Sequence, residues 1–196
     1  MLGNSEKKTR LGMGKGYILF WPSRNAEPQK FNFIEGRLEG IETHVGTVNG
    51  QQTQFFDFNI SDGNEQYRLS VMNVNSAADI IRCMYGIQDF RNGKIRIDVR
   101  PKVSGDRVYT NVYVSFNGKD YRWAIDVPKE ESITLSSGKV VKDDTALRNA
   151  LLRLIDEINA RCFSPAPEVS PAPAEPYQED LPDDSYYGGF SGPSDF

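Results

Sequence analysis

Asn49-Gly50 is the step that most restricts this chain. An Asn-Gly connection supplies the two left-handed backbone conformations that a tight antiparallel hairpin needs. Before it runs Phe31 to Val48, rich in β-formers and interrupted by Gly36, Gly40 and Gly46. Glycines inside a strand mark bulges or sharp coiling. After it runs a return strand, Thr53 to Ile60, with Phe56, Phe58 and Ile60 on one face and Phe55, Asp57 and Asn59 on the other. Asp62-Gly63 makes a second hairpin turn into a third strand, Gln66 to Val74.

Ser76 to Gln88 has the periodicity of a helix: Ala77, Ile80, Ile81 and Met84 share one face, and Ser76 with Asp79 resembles a capping box. Lys94 to Pro101 then alternates, with Ile95, Ile97 and Val99 inward and Arg96, Asp98 and Arg100 outward. Ser104-Gly105-Asp106 turns the chain into Val108 to Phe116, where Val108, Val112, Val114 and Phe116 oppose Tyr109, Asn111, Tyr113 and Ser115. Asn117-Gly118 leads to a further strand, Asp120 to Val127, with Tyr121, Trp123, Ile125 and Val127 on one face. After a polar hairpin at Ser136-Ser137-Gly138, Asp143 or Asp144 caps a last helix through Cys162. Its stripe of Leu147, Leu151, Leu154, Ile155 and Ile158 either packs on the barrel or forms a dimer seam. Three meandering strands, a helix and two more strands is the order of the OB fold, a five-stranded Greek-key barrel. The expected class is therefore all-β with accessory helices, with extra strands and a C-terminal helix around that barrel.

The ends read differently from the body. Residues 1–16 combine Lys7, Lys8, Arg10 and Lys15 with Gly3, Gly12, Gly14 and Gly16, and are predicted as a flexible basic arm. The Gly-x-Gly-x-Gly run inside it lacks the Lys-Ser/Thr ending of a phosphate loop. From Ser164 to Phe196 there are seven acidic side chains, repeated prolines and no Lys or Arg. Such a segment cannot bury enough surface to offset its ordering entropy, so it is predicted as a disordered acidic tail. The net charge of −4 hides this split: residues 1–163 hold 23 basic and 20 acidic side chains, a net of +3. A basic body with an acidic tail points to a nucleic acid or another charged surface. Cys83 and Cys162 form no CxxC and read as free thiols of a reducing, cytoplasmic setting. Tyr17 to Trp21 is too short for a signal sequence or a membrane span, so no membrane partner is expected.

Nothing in the sequence assembles a catalytic or metal-binding set. The one histidine, His44, sits in a strand, and the pairs Glu130-Glu131 and Asp143-Asp144 sit at turns and caps. The chain is expected to have no cofactor and not to be an enzyme. Binding is better supplied. Single strands are held by cations that track phosphates together with aromatic faces on which bases stack. Arg96, Arg100 and Lys102 lie along one side of a strand, Arg107 follows in the adjoining loop, and Tyr109 and Tyr113 face outward from its neighbour. Phe55 and Arg68 come from the second and third barrel strands, Arg122 and Trp123 from the last, and Trp21 from the first apolar run. Trp123 and Tyr121 also fit a core face, Trp21 divides evenly between packing and stacking, and Arg96 and Arg100 also fit a solvated strand face.

An OB-like order followed by a Pro- and acid-rich tail ending in Asp195-Phe196 resembles the single-stranded DNA-binding proteins of bacteria and their phages. The resemblance implies a barrel over residues 17–163 that coats single-stranded DNA in replication, recombination and repair. It also implies a tail tip, Asp183, Asp184, Asp195 and Phe196, that recruits a polymerase, helicase or primase, and a possible homo-oligomer. The tip is Gly-Pro-Ser-Asp-Phe, closer to a phage-type member than to the bacterial run of aspartates. Physically, Phe196 offers a ring and a terminal carboxylate beside the Asp195 carboxylate, which a shallow apolar pocket rimmed by Arg or Lys accepts. Two other readings remain: an RNA-binding OB protein, and a phage structural or adaptor domain that binds only proteins.

Overall fold

Phe56, Phe58 and Ile60 are all buried, on the face of their strand that the alternation assigns to the core. Each such ring or branched chain contributes about 1.5–3 kcal/mol by leaving water. The computed structural model describes residues 8–23 and 25–163, with the backbone alone for Cys162 and Phe163. The predicted tail, residues 164–196 with Asp183, Asp184, Asp195 and Phe196, lies outside the described residues, as do residues 1–7.

The strands are β1 (Thr9–Gly14), β2 (Tyr17–Phe20), β3 (Gln29–Phe31), β4 (Phe33–Val48), β5 (Gln51–Ser61) and β6 (Gln66–Val71). Helix α1 (Val74–Met84) is followed by β7 (Ile95–Ser104), β8 (Arg107–Phe116) and β9 (Lys119–Tyr121). A hairpin of β10 (Glu131–Thr134) and β11 (Val140–Asp143) precedes helix α2 (Thr145–Phe163). Strands β1 to β9 form one sheet in the order β3-β2-β1-β6-β5-β4-β7-β8-β9, whose ladder ends at β3 and β9 and does not close. The class is therefore mostly β with two helices. The strand-strand-strand-helix-strand-strand order predicted for the middle of the chain is present as β4-β5-β6-α1-β7-β8.

Strand β4 has two successive partners. Phe33 to Gly36 pair with β7, and Arg37 to Val48 pair with β5. At the hand-over a Cβ on Gly36 would stand 2.4 Å from the Ser61 carbonyl oxygen, so only glycine lets both neighbours approach. A bulge between Leu38 and Gly40 adds a second bend. The Asn49-Gly50 turn has φ of 50° and 78°, the double positive of a type I′ hairpin.

The predicted basic arm is corrected over its second half. Thr9–Gly14 is a strand that pairs in parallel with β6 and antiparallel with β2, and Leu11 is buried. Lys15 and Gly16, with φ of 52° and 80°, make the turn between β1 and β2. The tip of that hairpin reaches the β7–β8 pair, where the Gly16 N–H donates to Thr110 Oγ1 at 3.0 Å. Gly12 and Gly16, which read as looseness, are instead positions of close approach.

Helix α1 starts earlier than its pattern indicates. Its cap is Asn73, whose Oδ1 accepts from the Ser76 N–H at 2.9 Å, and Ser76 is inside the helix. Ala77, Ile80, Ile81 and Met84 are fully buried, as their spacing requires. The strand predicted for Asp120 to Val127 is only β9; beyond Tyr121 the chain runs unpaired along α1. The stripe of α2, Leu147, Leu151, Leu154, Ile155 and Ile158, is buried within this chain, which resolves the choice between packing and a dimer seam for these residues.

Helix α2 also serves the sheet. Beyond Gly36, β4 has lost β7, and its edge exposes backbone groups at Ile41. Asn159 Nδ2 donates to the Ile41 carbonyl at 2.8 Å, and Asn159 Oδ1 accepts from the Ile41 N–H at 3.2 Å. The Asn159→Ala variant leaves both buried backbone groups unpaired. Its expected cost is about 1–3 kcal/mol, read as a lower urea midpoint at unchanged slope; a midpoint equal to wild type contradicts this role.

Candidate nucleic-acid interface

In an antiparallel pair, directly opposed side chains lie on the same side of the sheet. The β7–β8 register opposes Arg96 to Ser115, Asp98 to Tyr113, Arg100 to Asn111, Lys102 to Tyr109 and Ser104 to Arg107. Ile95, Ile97 and Val99 on the alternate positions are buried, so this set faces outward. Six of the predicted site residues therefore share one face: Arg96, Arg100, Lys102, Arg107, Tyr109 and Tyr113. Tyr109 and Tyr113 are half exposed. The Arg100 guanidinium carbon lies 5.2 Å from the centroid of the Tyr113 ring, a cation–π distance.

The cations of this face are not equivalent. Arg96 donates from Nε and Nη2 to the two oxygens of Asp98 at 2.8 and 3.1 Å, and from Nη1 to Glu35 at 3.4 Å. The Asp98 hydrogen bonds hold its guanidinium charged to higher pH than usual. Its plane covers the ring of Phe33, with the guanidinium carbon 3.6 Å from the centroid. Arg96 is thus engaged inside the protein. Among the described residues, Arg100, Lys102 and Arg107 are in no ion pair. Phe33 belongs to this face, since β4 opposes it to Asp98, and it is about half exposed. Sequence reasoning missed it, although Ile34 facing inward puts Phe33 outward.

The second group of predicted residues lies on the outward face of β5, β6 and β1. Phe55 opposes His44 across β4–β5, and Arg68 opposes Asn59 across β5–β6. The Phe55 and His44 rings are parallel, 4.9 Å apart and inclined by 6°. Arg68 approaches Glu42 at 3.7 Å and Asp57 at 3.9 Å. Trp21 is 45% exposed and covers the backbone of Gly12, where a Cβ would stand 3.0 Å from its ring. Trp21 thus packs against Gly12 and remains partly exposed.

Trp123 lies apart from these faces. Trp123 is 58% exposed, which excludes the core reading. The Arg82 guanidinium carbon sits 3.8 Å from the centroid of its ring, and Arg82 Nε donates to the Ile125 carbonyl at 2.9 Å. That clip holds the segment after β9 along α1, and Arg122 is exposed on the same segment. The structure therefore keeps Trp123 against α1, whereas Arg122 directly follows Tyr121, the residue that pairs with Val114 of β8.

Cys83 is buried in α1, and burial, then the Asp79 charge, pushes its thiol up to about 11. Burial also raises Asp79, partly offset by Arg82. Asp143 caps α2 through the Thr145 hydroxyl and N–H, which lower its pKa. No group of three His, Cys, Asp or Glu side chains among the described residues could hold a metal ion, and no described helix is long and apolar enough to cross a membrane.

Compared with known protein families, curated proteins and solved structures, the chain matches none. The site therefore rests on its own geometry. One consequence concerns Cys83: its buried thiol stays protonated at neutral pH. In a Cys162→Ser variant, a disulfide reagent at pH 8 should label Cys83 only once denaturant is added. Labelling at the rate of a free thiol in buffer would contradict this burial.

Proposed function

We propose that this protein binds single-stranded DNA without sequence preference and has no catalytic role. The observation that carries the reading is the shared exposed face of β7 and β8, where Arg100, Lys102 and Arg107 lie among Tyr109 and Tyr113. Cations there track phosphates, and rings stack on any base because every base has a π face. The strand order supports an OB-type core of β4, β5, β6, β7 and β8, with α1 between the third and fourth. In that core the β1–β2 hairpin bridges from β6 toward β7–β8 in place of a closing ladder. The chain acts in DNA replication, recombination and repair in a bacterial or phage-infected cytoplasm, as the resemblance implies. Its acidic end, with Asp183, Asp184, Asp195 and Phe196, recruits partner enzymes.

The test is an oligo-dT titration by fluorescence anisotropy at several salt concentrations, with oligo-U in parallel. Binding at low salt that weakens with salt supports the reading; no binding at low salt overturns it. Equal or tighter binding to oligo-U moves the substrate to RNA, because the 2′-hydroxyl is the feature that separates them. Replacing Arg100, Lys102 and Arg107 by Ala removes the free cations, so the log–log salt slope should fall by about 2 in magnitude. An unchanged slope excludes the β7–β8 face.

Removing residues 164–196 takes away seven negative charges and no positive ones. DNA binding by residues 1–163 should equal or exceed that of the full chain, while capture of replication enzymes is lost. The acidic tail is expected to compete with DNA for the cations of the body, and weaker DNA binding after the deletion contradicts that.

A further inference from the structure

Asp57 is the unusual residue of the second outward face. It is only 1% exposed, yet it sits on the solvent side of β5, opposite Glu42 on β4 and Ser70 on β6. A buried carboxylate is costly unless donors surround it. Three side chains do so. Ser70 Oγ donates to Oδ1 at 2.6 Å, His44 Nδ1 meets Oδ2 at 2.7 Å, and Arg68 Nη1 lies 3.9 Å from the same Oδ2. Ser70 bonds the carboxylate and not the imidazole, so the arrangement holds a ring in place; it does not activate a hydroxyl.

A carboxylate oxygen accepts, and the His44 tautomer that pairs with it is the one with the proton on Nδ1. That fixes the imidazole, with Nε2 left free of Asp57. One face of the ring lies flat on Phe55, and the side chain remains 47% exposed. The flank is clear as well: at Gly46 a Cβ would stand 2.8 Å from the Phe55 ring and 3.8 Å from His44 Nε2. The result is a two-ring stack, oriented by a buried anchor and open to solvent.

Beside it stand two neighbouring cations, of which Arg68 is shared with Glu42 and Asp57. The parallel β1–β6 register places Arg10 next to Arg68, and neighbouring like charges on one face repel. Arg10 is exposed and in no ion pair among the described residues. Lys8 is close by, donating to Asn59 Oδ1 at 3.2 Å, and Asn59 opposes Arg68. An anion between the two arginines removes the repulsion. Arg68 and His44 converge on the same Asp57 oxygen, so the anion site and the ring stack are adjacent.

We infer that this cluster is a one-nucleotide subsite: an unpaired base stacks on the open face of His44, and its phosphate lies against Arg10 and Arg68. The subsite rests on the proposed single-stranded DNA binding and adds a second point of attachment to it. Asp57 is a positioning residue, acting through the imidazole that it orients.

His44 is the only histidine of the chain, so its ring protons give a clean NMR signal in the full-length protein. Titration with oligo-dT should move those protons upfield, by the ring current of a stacked base, with the midpoint seen by anisotropy. Ring signals that stay put while the oligonucleotide saturates overturn the subsite. The His44→Gln variant keeps an N–H for Asp57 but has no ring. It should bind oligo-dT about tenfold more weakly at unchanged thermal stability, and wild-type affinity overturns the subsite. In Asp57→Asn the imidazole ¹⁵N shifts should report a changed tautomer balance and the upfield shift should shrink; an unchanged tautomer balance removes the positioning role. If wild type binds no oligo-dT, the DNA-binding reading and the subsite fall together. If Arg100→Ala with Tyr109→Ala weakens binding and His44→Gln does not, only the subsite falls.

Discussion

The division of β4 between two partners determines how the rest of the sheet is arranged. One strand of this length, Phe33–Val48, serves β7 with its first residues and β5 with the remainder. The exchange is possible because Gly36 presents no Cβ where the Ser61 carbonyl passes. A side chain there would push β5 away and leave β4 with a single partner. Because the exchange happens, the β5–β6 pair and the β7–β8 pair branch from one strand in different directions. Each pair then turns its apolar positions to a common core and its polar positions outward. The two candidate faces are the outer sides of those two pairs.

Handing a strand from one partner to another leaves an unpaired edge behind it. Buried backbone groups without partners are expensive, and Ile41 is buried. Asn159 offers the one side-chain geometry that copies a strand, a donor and an acceptor from one planar amide, and uses both on Ile41. The same helix buries its leucine and isoleucine stripe, and Glu157 and Arg161 bind Tyr85 at the end of α1. Helix α2 therefore completes the sheet in two ways, by covering its apolar side and by closing its polar edge.

Much of this was legible in the residues. The Asn-Gly turns, the alternation of β5, β7 and β8 and the faces of both helices followed from local rules, and those rules operate over a few residues. What was not legible depends on distant neighbours. Thr9–Gly14 looks like loose chain because its glycines carry no β signal, yet they fit where Trp21 and β6 approach. Trp123 alternates with Ile125 and Val127 as a core residue would, but no strand lies beyond β9 to bury it, and Arg82 takes its ring instead. The six cations and tyrosines of β7 and β8 were assigned to one face correctly because antiparallel register follows from a short turn. The Asp57 cluster went unseen because its members come from three strands, and an outward-facing Asp normally reads as solvated.

The two outer faces solve different electrostatic problems. On β7–β8, Asp98 and Glu35 neutralise Arg96, while Arg100, Lys102 and Arg107 are in no ion pair among the described residues and lead to the turn at Gly105 and Asp106. Charge is thus concentrated along the far half of the ribbon, beside both exposed tyrosines. On β4, β5 and β6 one acid, Asp57, is buried beneath the cations. It lies between His44 and Arg68 without presenting an oxygen to solvent, while the exposed Glu42 carboxylate reaches Arg68 at 3.7 Å. A body with a net charge of only +3 cannot hold a polyanion by overall attraction. On the proposed reading, local groups of cations and rings supply the hold instead, the rings contributing about 1–3 kcal/mol for each stacked base.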